Sequence, residues 1–284
     1  MSGLPKISIV CPLYNAENDI LFLHKSLLKQ EEVDIVEIKY VLTESSDRTE
    51  DLLKMKKIPY EKISKKEFSH SLTREKAAMT AKGKVIVFLT QDVVIKDKFF
   101  IRKLVEPILN GEAQATYARQ ETKYNNIEKY TREHNYPVDS FTTSKADLQE
   151  KGLKTFFFSD AAGAVDAKVF KELKGYDGKK LPISEDMYFA YKLIMNGGII
   201  KYVAEAKVYH SHNFTTKELY NRYKATGEFM KMNPQIAKHG VNAAGGGMAK
   251  YILKRALKEG NWKVIARYIP DMAARFVGMK VGRR

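Results

Sequence analysis

Apolar positions along the 284-residue chain alternate between strand-like and helix-like spacing from the start. Lys6 to Cys11 reads as a β-branched strand, Ile35 to Leu42 as a second and Ile58 to Ile63 as a short third. Lys84 to Val94 is a near-continuous apolar run of the kind buried on both faces of a parallel sheet, with Asp92 at its carboxyl end. Between these strands the pattern predicts helices over Glu17 to Gln30, Asp51 to Lys57 and Arg74 to Ala81, the last capped by Ser71 or Thr73. Four strands alternating with three helices predict one doubly wound, mostly parallel α/β sheet with helices on both faces. Ligands gather at the carboxyl ends of the strands in such sheets, and Tyr14, Asn15, Glu44, Arg74 and Asp92 fall at or beside those ends.

The rhythm continues with a helix over Asp97 to Leu109 and a strand over Ala113 to Arg119, then stops. Glu121 to Lys154 is polar and rich in Tyr, Asn and Thr, a long excursion of the kind that forms a binding lid. Phe156 to Val165 returns to a strand pattern interrupted by Ser159-Asp160, and a helix over Ala167 to Leu173 follows. Beyond a Gly- and Pro-containing loop, Ser184-Glu185-Asp186 caps a helix over Met187 to Met195. Strands over Ile199 to Ala204 and Ala206 to Tyr209 close on His210-Ser211-His212, before a helix over Thr215 to Lys231. Asn242 to Gly247, with three consecutive glycines, marks a linker. It divides a catalytic domain, residues 1–241, from a tail, 242–284, in which Lys and Arg interleave with Tyr251, Leu257, Trp262, Ile265 and Phe276 as basic amphipathic helices.

Charge narrows the partners. With 49 Lys and Arg against 34 Asp and Glu, a formal charge of +15, the surface suits phosphates, nucleic acid or an anionic membrane. No nucleic-acid motif accompanies the charge, so nucleic acid is not an expected partner. The single cysteine, Cys11, excludes a disulfide within the chain and a thiolate metal site. No apolar run approaches the roughly 20 residues needed to cross a bilayer, and the run Ile7 to Leu13 is too short for a secretory signal. These features lead us to expect a cytoplasmic protein, peripheral on the inner face of the cell membrane if its tail binds there. Neither G-x-G-x-x-G nor G-x-x-x-x-G-K-[ST] occurs, which removes the main support for dinucleotide-binding and P-loop chemistry.

Three sites carry groups capable of chemistry: Asp92, the pair Glu185-Asp186, and His210 with His212. Each has an ordinary structural reading as well. Asp92 suits a turn, Glu185-Asp186 complements a helix dipole, and a His-x-His places two rings on one face of any strand. Together, carboxylate and imidazole suit a divalent cation of the Mg or Mn type whose shell phosphate oxygens complete.

The ordered set of strand-PLYN, a Ser/Asp/Thr turn, FSHSLTREKAA, VFLTQD, EKYTREHNYP, SEDM and VYHSH resembles the inverting nucleotide-sugar glycosyltransferases of family 2 over Lys6 to Met230. FSHSLTR and LTQD are similar to the bacterial rhamnosyltransferase branch, which uses dTDP-L-rhamnose to build cell-surface polysaccharide. The resemblance implies a GT-A-like fold. It implies donor contacts from Pro12, Tyr14, Asn15, Glu44, Asp47, Arg74, Gln91 and Asp92, with Glu44 and Asp47 near base and ribose and Arg74 at the diphosphate. It further implies Asp92 and His210 as ligands of a divalent cation, Mg or Mn, Asp186 as catalytic base, Glu185 as an acceptor contact, and a glycan or lipid-linked glycan as acceptor. Thr90 stands where the first Asp of the family's Asp-x-Asp lies, so one carboxylate rather than two comes from this strand. The alternatives are a UDP-hexose transferase of the same fold and a non-catalytic nucleotide- or glycan-binding protein.

Overall fold

The computed structural model describes residues 3–284. Eight strands form one sheet: β1 (Lys6–Leu13), β2 (Asp34–Thr43), β3 (Tyr60–Ile63), β4 (Val85–Leu89), β5 (Ala115–Glu121), β6 (Phe141–Thr143), β7 (Ala162–Asp166) and β8 (Ile200–Tyr209), in the order β3-β2-β1-β4-β7-β5-β8-β6. Strands β1 to β4 pair in parallel, as do β5 and β8. Strand β7 lies antiparallel between β4 and β5, and β6 is antiparallel on the outer side of β8. The helices are α1 (Ile20–Leu27), α2 (Thr49–Met55), α3 (His70–Met79), α4 (Phe100–Leu109), α5 (Ile127–Asn135) and α6 (Leu148–Lys151), followed by α7 (Ala167–Glu172), α8 (Glu185–Met195), α9 (Thr216–Met232), α10 (Pro234–Ala237), α11 (Val241–Lys258) and α12 (Trp262–Gly282).

Strand periodicity builds the two layers. Ile7, Ile9, Cys11 and Leu13 of β1, with Val85, Val87 and Leu89 of β4, face one side and pack on α1, α2 and α4. Val10, Ile86 and Phe88 face the other and pack on α3, α7 and α8. Both faces are covered, which is why β4 reads as an unbroken apolar run.

Several elements differ from the sequence pattern. Strand β4 ends at Leu89, so Thr90 to Val94 is a loop over the strand's carboxyl end. Val94 exchanges backbone hydrogen bonds of 2.9 and 3.0 Å with Tyr209, pinning that loop to the end of β8. Helix α3 starts at His70, with Ser69 as its cap in place of Ser71 or Thr73, since Ser69 is extended and its hydroxyl accepts from the Leu72 N–H at 3.4 Å. The FFFSDAAGAV run is a strand only from Ala162, because Gly152–Phe156 forms a 3₁₀ turn. The polar excursion is no open lid: it contains α5, β6 and α6, and Ile127 and Tyr130 of α5 are buried against Ile252, Ala256 and Val264.

The stretch Asn242 to Gly247 lies within α11 and is not an extended linker. Helix α12 packs against α9 with backbones touching. A Cβ on Gly282 would lie 2.0 Å from the Lys224 carbonyl oxygen, and one on Gly278 would lie 2.5 Å from that of Tyr220. Arg275 of α12 is buried with Glu128 of α5, Nη2 to Oε1 3.3 Å, and its Nη1 donates to the Tyr223 hydroxyl at 3.0 Å. Among the described residues no helix is long and apolar enough to cross a membrane.

Candidate active site

The Val94–Tyr209 bridge brings the loop after β4 against the residues that follow β8. Asp92 Oδ2 consequently lies 3.5 Å from His210 Nε2 and 3.8 Å from His212 Nδ1, and the three donor atoms all fall within 4.8 Å of one another. Ligands about 2.1 Å from one cation stand about 3–3.5 Å apart, so a small inward adjustment closes this set on a divalent ion. A carboxylate with two imidazoles is a mixed O/N set that can hold a divalent cation, with oxygen ligands filling the rest of the shell.

A second layer fixes His210. Its Nδ1 lies 2.9 Å from Gln120 Oε1, so Nδ1–H donates there and the Nε2 lone pair faces Asp92. Gln120 is oriented in turn by Arg132 Nη1, which donates to the same Oε1 at 2.7 Å, and by its own Nε2, which donates to Ser159 Oγ at 2.9 Å. Burial, opposed by Asp92 and reinforced by Arg132, pushes the His210 pKa down to about 3, so the ring is neutral as a ligand must be. Gln120 and Arg132 escaped the sequence pattern because a polar residue near a strand end and an Arg in a polar segment carry no distinguishing signal. Gln120→Leu is expected to weaken divalent-cation affinity by about 10–100-fold, the usual cost of losing such a partner. Calorimetric titration with Mn2+ measures it, and unchanged affinity removes Gln120 from the role. Asp19, just before α1, lies within the field of Asp92: its carboxyl pKa is raised by burial and then by that charge.

On the neighbouring strand ends, four ionisable groups meet. Arg74 is 3% exposed and Glu185 7% exposed, and Arg74 Nη1 donates to Glu185 Oε1 at 3.2 Å. Asp160 accepts from the Tyr176 hydroxyl at 2.5 Å. The Arg74 guanidinium pairs with Glu185, and its charge also acts through space on Asp160 and on Asp186. Burial first, then Glu185, holds the Asp160 carboxyl up at about 7, against the pull of Arg74. The carboxyl of Asp186 is raised well above the usual range by burial, then by Glu185 and Asp160. Asp186 nonetheless opens into a cleft of about 350 Å3 that Tyr136, Ser159 and His212 also line.

Two residues expected at the donor and the acceptor pair with each other in this structure. Because α3 begins at His70, Arg74 falls on its buried face with Ala77 and Ala78, and its guanidinium meets Glu185 instead of standing open to a diphosphate. Glu185 turns inward to that Arg and is not presented to an acceptor.

The donor-side loops interlock. Gln91 Oε1 accepts from the Tyr14 N–H at 2.7 Å and its Nε2 donates to the Tyr14 carbonyl at 2.8 Å, so Gln91 positions the Tyr14 backbone beside the Asp92 loop. Asn15 has φ +47°, and its Oδ1 accepts from the Ser46 N–H at 2.9 Å. Asp47 accepts from the backbone N–H of Glu17 and of Thr49, both at 3.0 Å, and from the Thr49 hydroxyl at 2.6 Å. Its carboxylate fastens two loops together. Glu44 is exposed, and Pro12 sits half-buried in β1 opposite Val41.

This sheet order, with cation-ligand chemistry at its carboxyl ends, defines a GT-A glycosyltransferase. The chain belongs to Glycosyl transferase family 2, whose profile matches residues 8–174. It is 33% identical to the O-antigen chain rhamnosyltransferase RfbN of Salmonella typhimurium, over 98% of this chain and 90% of that protein. It is 30% identical to the O-antigen chain rhamnosyltransferase WbaN of Salmonella anatum, over 99% and 90%. Among solved structures it is similar to S. aureus TarS 1-349 in complex with UDP-GlcNAc, with TM-score 0.56 and 14% identity over 98% of this chain and 90% of that one. Glucosyl-3-phosphoglycerate synthase from Mycobacterium tuberculosis, in complex with Mn2+, UDP-glucose and phosphoglyceric acid, matches with TM-score 0.51 and 14% identity over 80% and 79%. At those identities the shared feature is the fold.

Proposed function

We propose that this glycosyltransferase transfers L-rhamnose from dTDP-L-rhamnose, with inversion, to a hydroxyl of a growing cell-surface polysaccharide carried on a lipid. The observation that carries the reading is that Asp186, a carboxyl of raised proton affinity, and His212 of the Asp92–His210–His212 cluster line one cleft. The names of the two Salmonella relatives supply the sugar and the polymer class. Asp186 takes the proton of the acceptor hydroxyl as that oxygen attacks the anomeric carbon from the face opposite the nucleotide. The bond from that carbon to the diphosphate oxygen breaks and the configuration inverts. Asp92, His210 and His212 would hold Mg or Mn, which when bound neutralises the charge left on the diphosphate. Tyr14, Asn15 and Gln91 form the nucleotide-facing rim. A thermal-shift comparison in Mg2+ across dTDP-rhamnose, UDP-glucose, UDP-GlcNAc and GDP-mannose tests the donor. The largest stabilisation is expected for dTDP-rhamnose, since stabilisation follows the logarithm of ligand over Kd. A larger shift with a UDP-sugar overturns the rhamnose assignment.

The lipid-linked acceptor puts the enzyme at the inner face of the cell membrane. Trp262, Ile269 and Phe276, exposed at 74%, 76% and 68%, form one line along the outer face of α12, with Lys263, Arg267, Lys280, Arg283 and Arg284 on the same helix and its end. Apolar side chains enter an anionic interface there while each nearby cation adds about 1 kcal/mol. Replacing the three apolar residues with Glu is expected to abolish sedimentation with phosphatidylglycerol vesicles while dTDP binding persists. Undiminished sedimentation would refute the membrane role of this face.

A further inference from the structure

The cleft at Asp186 has a wall that the family-matched residues do not supply. Met187 of α8 flanks the base, Tyr223 lies on α9, and Met248, Arg275 and Met279 come from α11 and α12. The last three belong to the segment whose sequence reads as a separate basic tail. Their placement is rigid. Met279 sits between Gly278 and Gly282, the two glycines at which α12 touches the α9 backbone, and its own carbonyl would lie 2.5 Å from a Cβ on Gly227. Arg275 is fixed one turn earlier by Glu128 and Tyr223. Met248 and Met279 are part-exposed and line the cleft, and Arg275 Nη1 donates to the Met248 sulfur at 3.9 Å, which holds that side chain in the wall.

The wall built by α8, α11 and α12 offers the thioethers of Met187, Met248 and Met279 beside the Asp186 carboxyl, while Arg132, Lys154, Arg222 and the Glu128–Arg275 pair line the rest of the cleft. Thioethers adapt to irregular apolar shapes, and the cleft, about 350 Å3, is at the small end of the roughly 300–1,000 Å3 range of small-molecule sites. That combination fits one pyranose ring, with its C–H face against sulfur and methyl groups and a hydroxyl directed at Asp186. We infer that the C-terminal helices α11 and α12 build the far wall of the acceptor subsite, with Met248 and Met279 packing on the C–H face of the acceptor pyranose. This rests on the reading of Asp186 as the base. On this account the C-terminal segment serves catalysis with its inner face, separately from anything its outer face does at a membrane.

The test uses the full chain with 13C-methyl methionine, each methyl assigned by single Met→Leu variants. The probes are the methyl glycosides of galactose, mannose, glucose and rhamnose, added in the presence of dTDP and Mg2+. At least one glycoside is expected to shift the Met248 and Met279 methyl signals together with that of Met187. Silence of both across the panel, whether or not Met187 moves, overturns the inference. Met279→Trp and Met248→Trp, which fill the wall from two helices, are expected to raise KM for an accepted glycoside at least tenfold without changing dTDP affinity. Unchanged KM in both Trp variants likewise overturns it. If either Trp variant fails to bind dTDP and so has not folded, the wild-type methyl shifts decide. Turnover by Asp186→Asn would sink the base assignment alone, because the methyl shifts map the wall irrespective of which group takes the proton.

Discussion

Asp186→Asn is expected to lower kcat by about 10²–10⁴-fold, the range that a positioned general base contributes. The substitution is isosteric, and the Asn oxygen can still accept the Met187 N–H that Asp186 Oδ1 accepts at 2.7 Å. The Arg74–Glu185 pair is untouched, so dTDP affinity in Mg2+ should remain near that of the wild type. The pH dependence separates catalysis from packing. Burial, then the Glu185 and Asp160 charges, raise the Asp186 carboxyl, so kcat/KM should rise with pH through a value above the ordinary carboxylate range. Stability runs the opposite way. A folded-state pKa above the unfolded one means the native state binds the extra proton. The contribution is full below the unfolded value near 3.8 and is lost as pH rises through the folded value. Asn carries no such proton, so the variant should gain on the wild type in denaturant melts as pH is raised from 5 to 8. Retained turnover by Asp186→Asn, with melts that track the wild type at both pH values, would remove Asp186 from the mechanism.

Most of the first half of the fold was legible because its signal is local. The β1 and β4 runs are apolar on both faces, and helices such as α4 repeat at 3.6 residues. Strand direction was not legible. Alternation fixes which way side chains point but not which way the chain runs, so β7 reads like any other strand and pairs antiparallel between two others. Helix α5 was hidden because its composition is polar. It buries only Ile127, Glu128 and Tyr130, and its partners lie more than 120 residues away in α11 and α12. The three glycines of α11 read as a linker because Gly is a poor helix former, by about 1 kcal/mol relative to Ala. The candidate site divides along the same line. Asp92 and the two His residues stand at strand ends whose positions the pattern gives, and the structure brings them together. Arg74, Glu185 and Asp47 have side chains whose partners are set by tertiary contacts: a buried ion pair for the first two and a neighbouring loop's N–H groups for the third. No spacing rule contains that information. The net effect is a cleft lined by Asp186 and by His212 of the Asp92–His210–His212 cluster, with Arg74 paired to Glu185 behind it.

Asp92→Ala is expected to reduce Mn2+ affinity, measured in the presence of dTDP, by more than the roughly 10–100-fold cost of losing a second-layer partner such as Gln120. The reason lies in Thr90. With no second carboxylate from this loop, Asp92 is the only anionic member of the Asp92–His210–His212 cluster, and its loss leaves two neutral imidazoles to hold a dication. The two His residues should not be equal. His210 is buried and fixed through Gln120 by Arg132 and Ser159, whereas His212 is half-exposed and packs its ring on Phe214 at 4.8 Å between centroids. A ligand already held in its binding orientation loses less freedom when the ion arrives, so His210→Ala should cost more affinity than His212→Ala. Chelation with EDTA should bring the wild type down to the dTDP affinity of Asp92→Ala, because both remove the same positive charge from the diphosphate site. If wild-type dTDP affinity and transfer are the same with EDTA as with Mn2+, the cluster is not a metal centre.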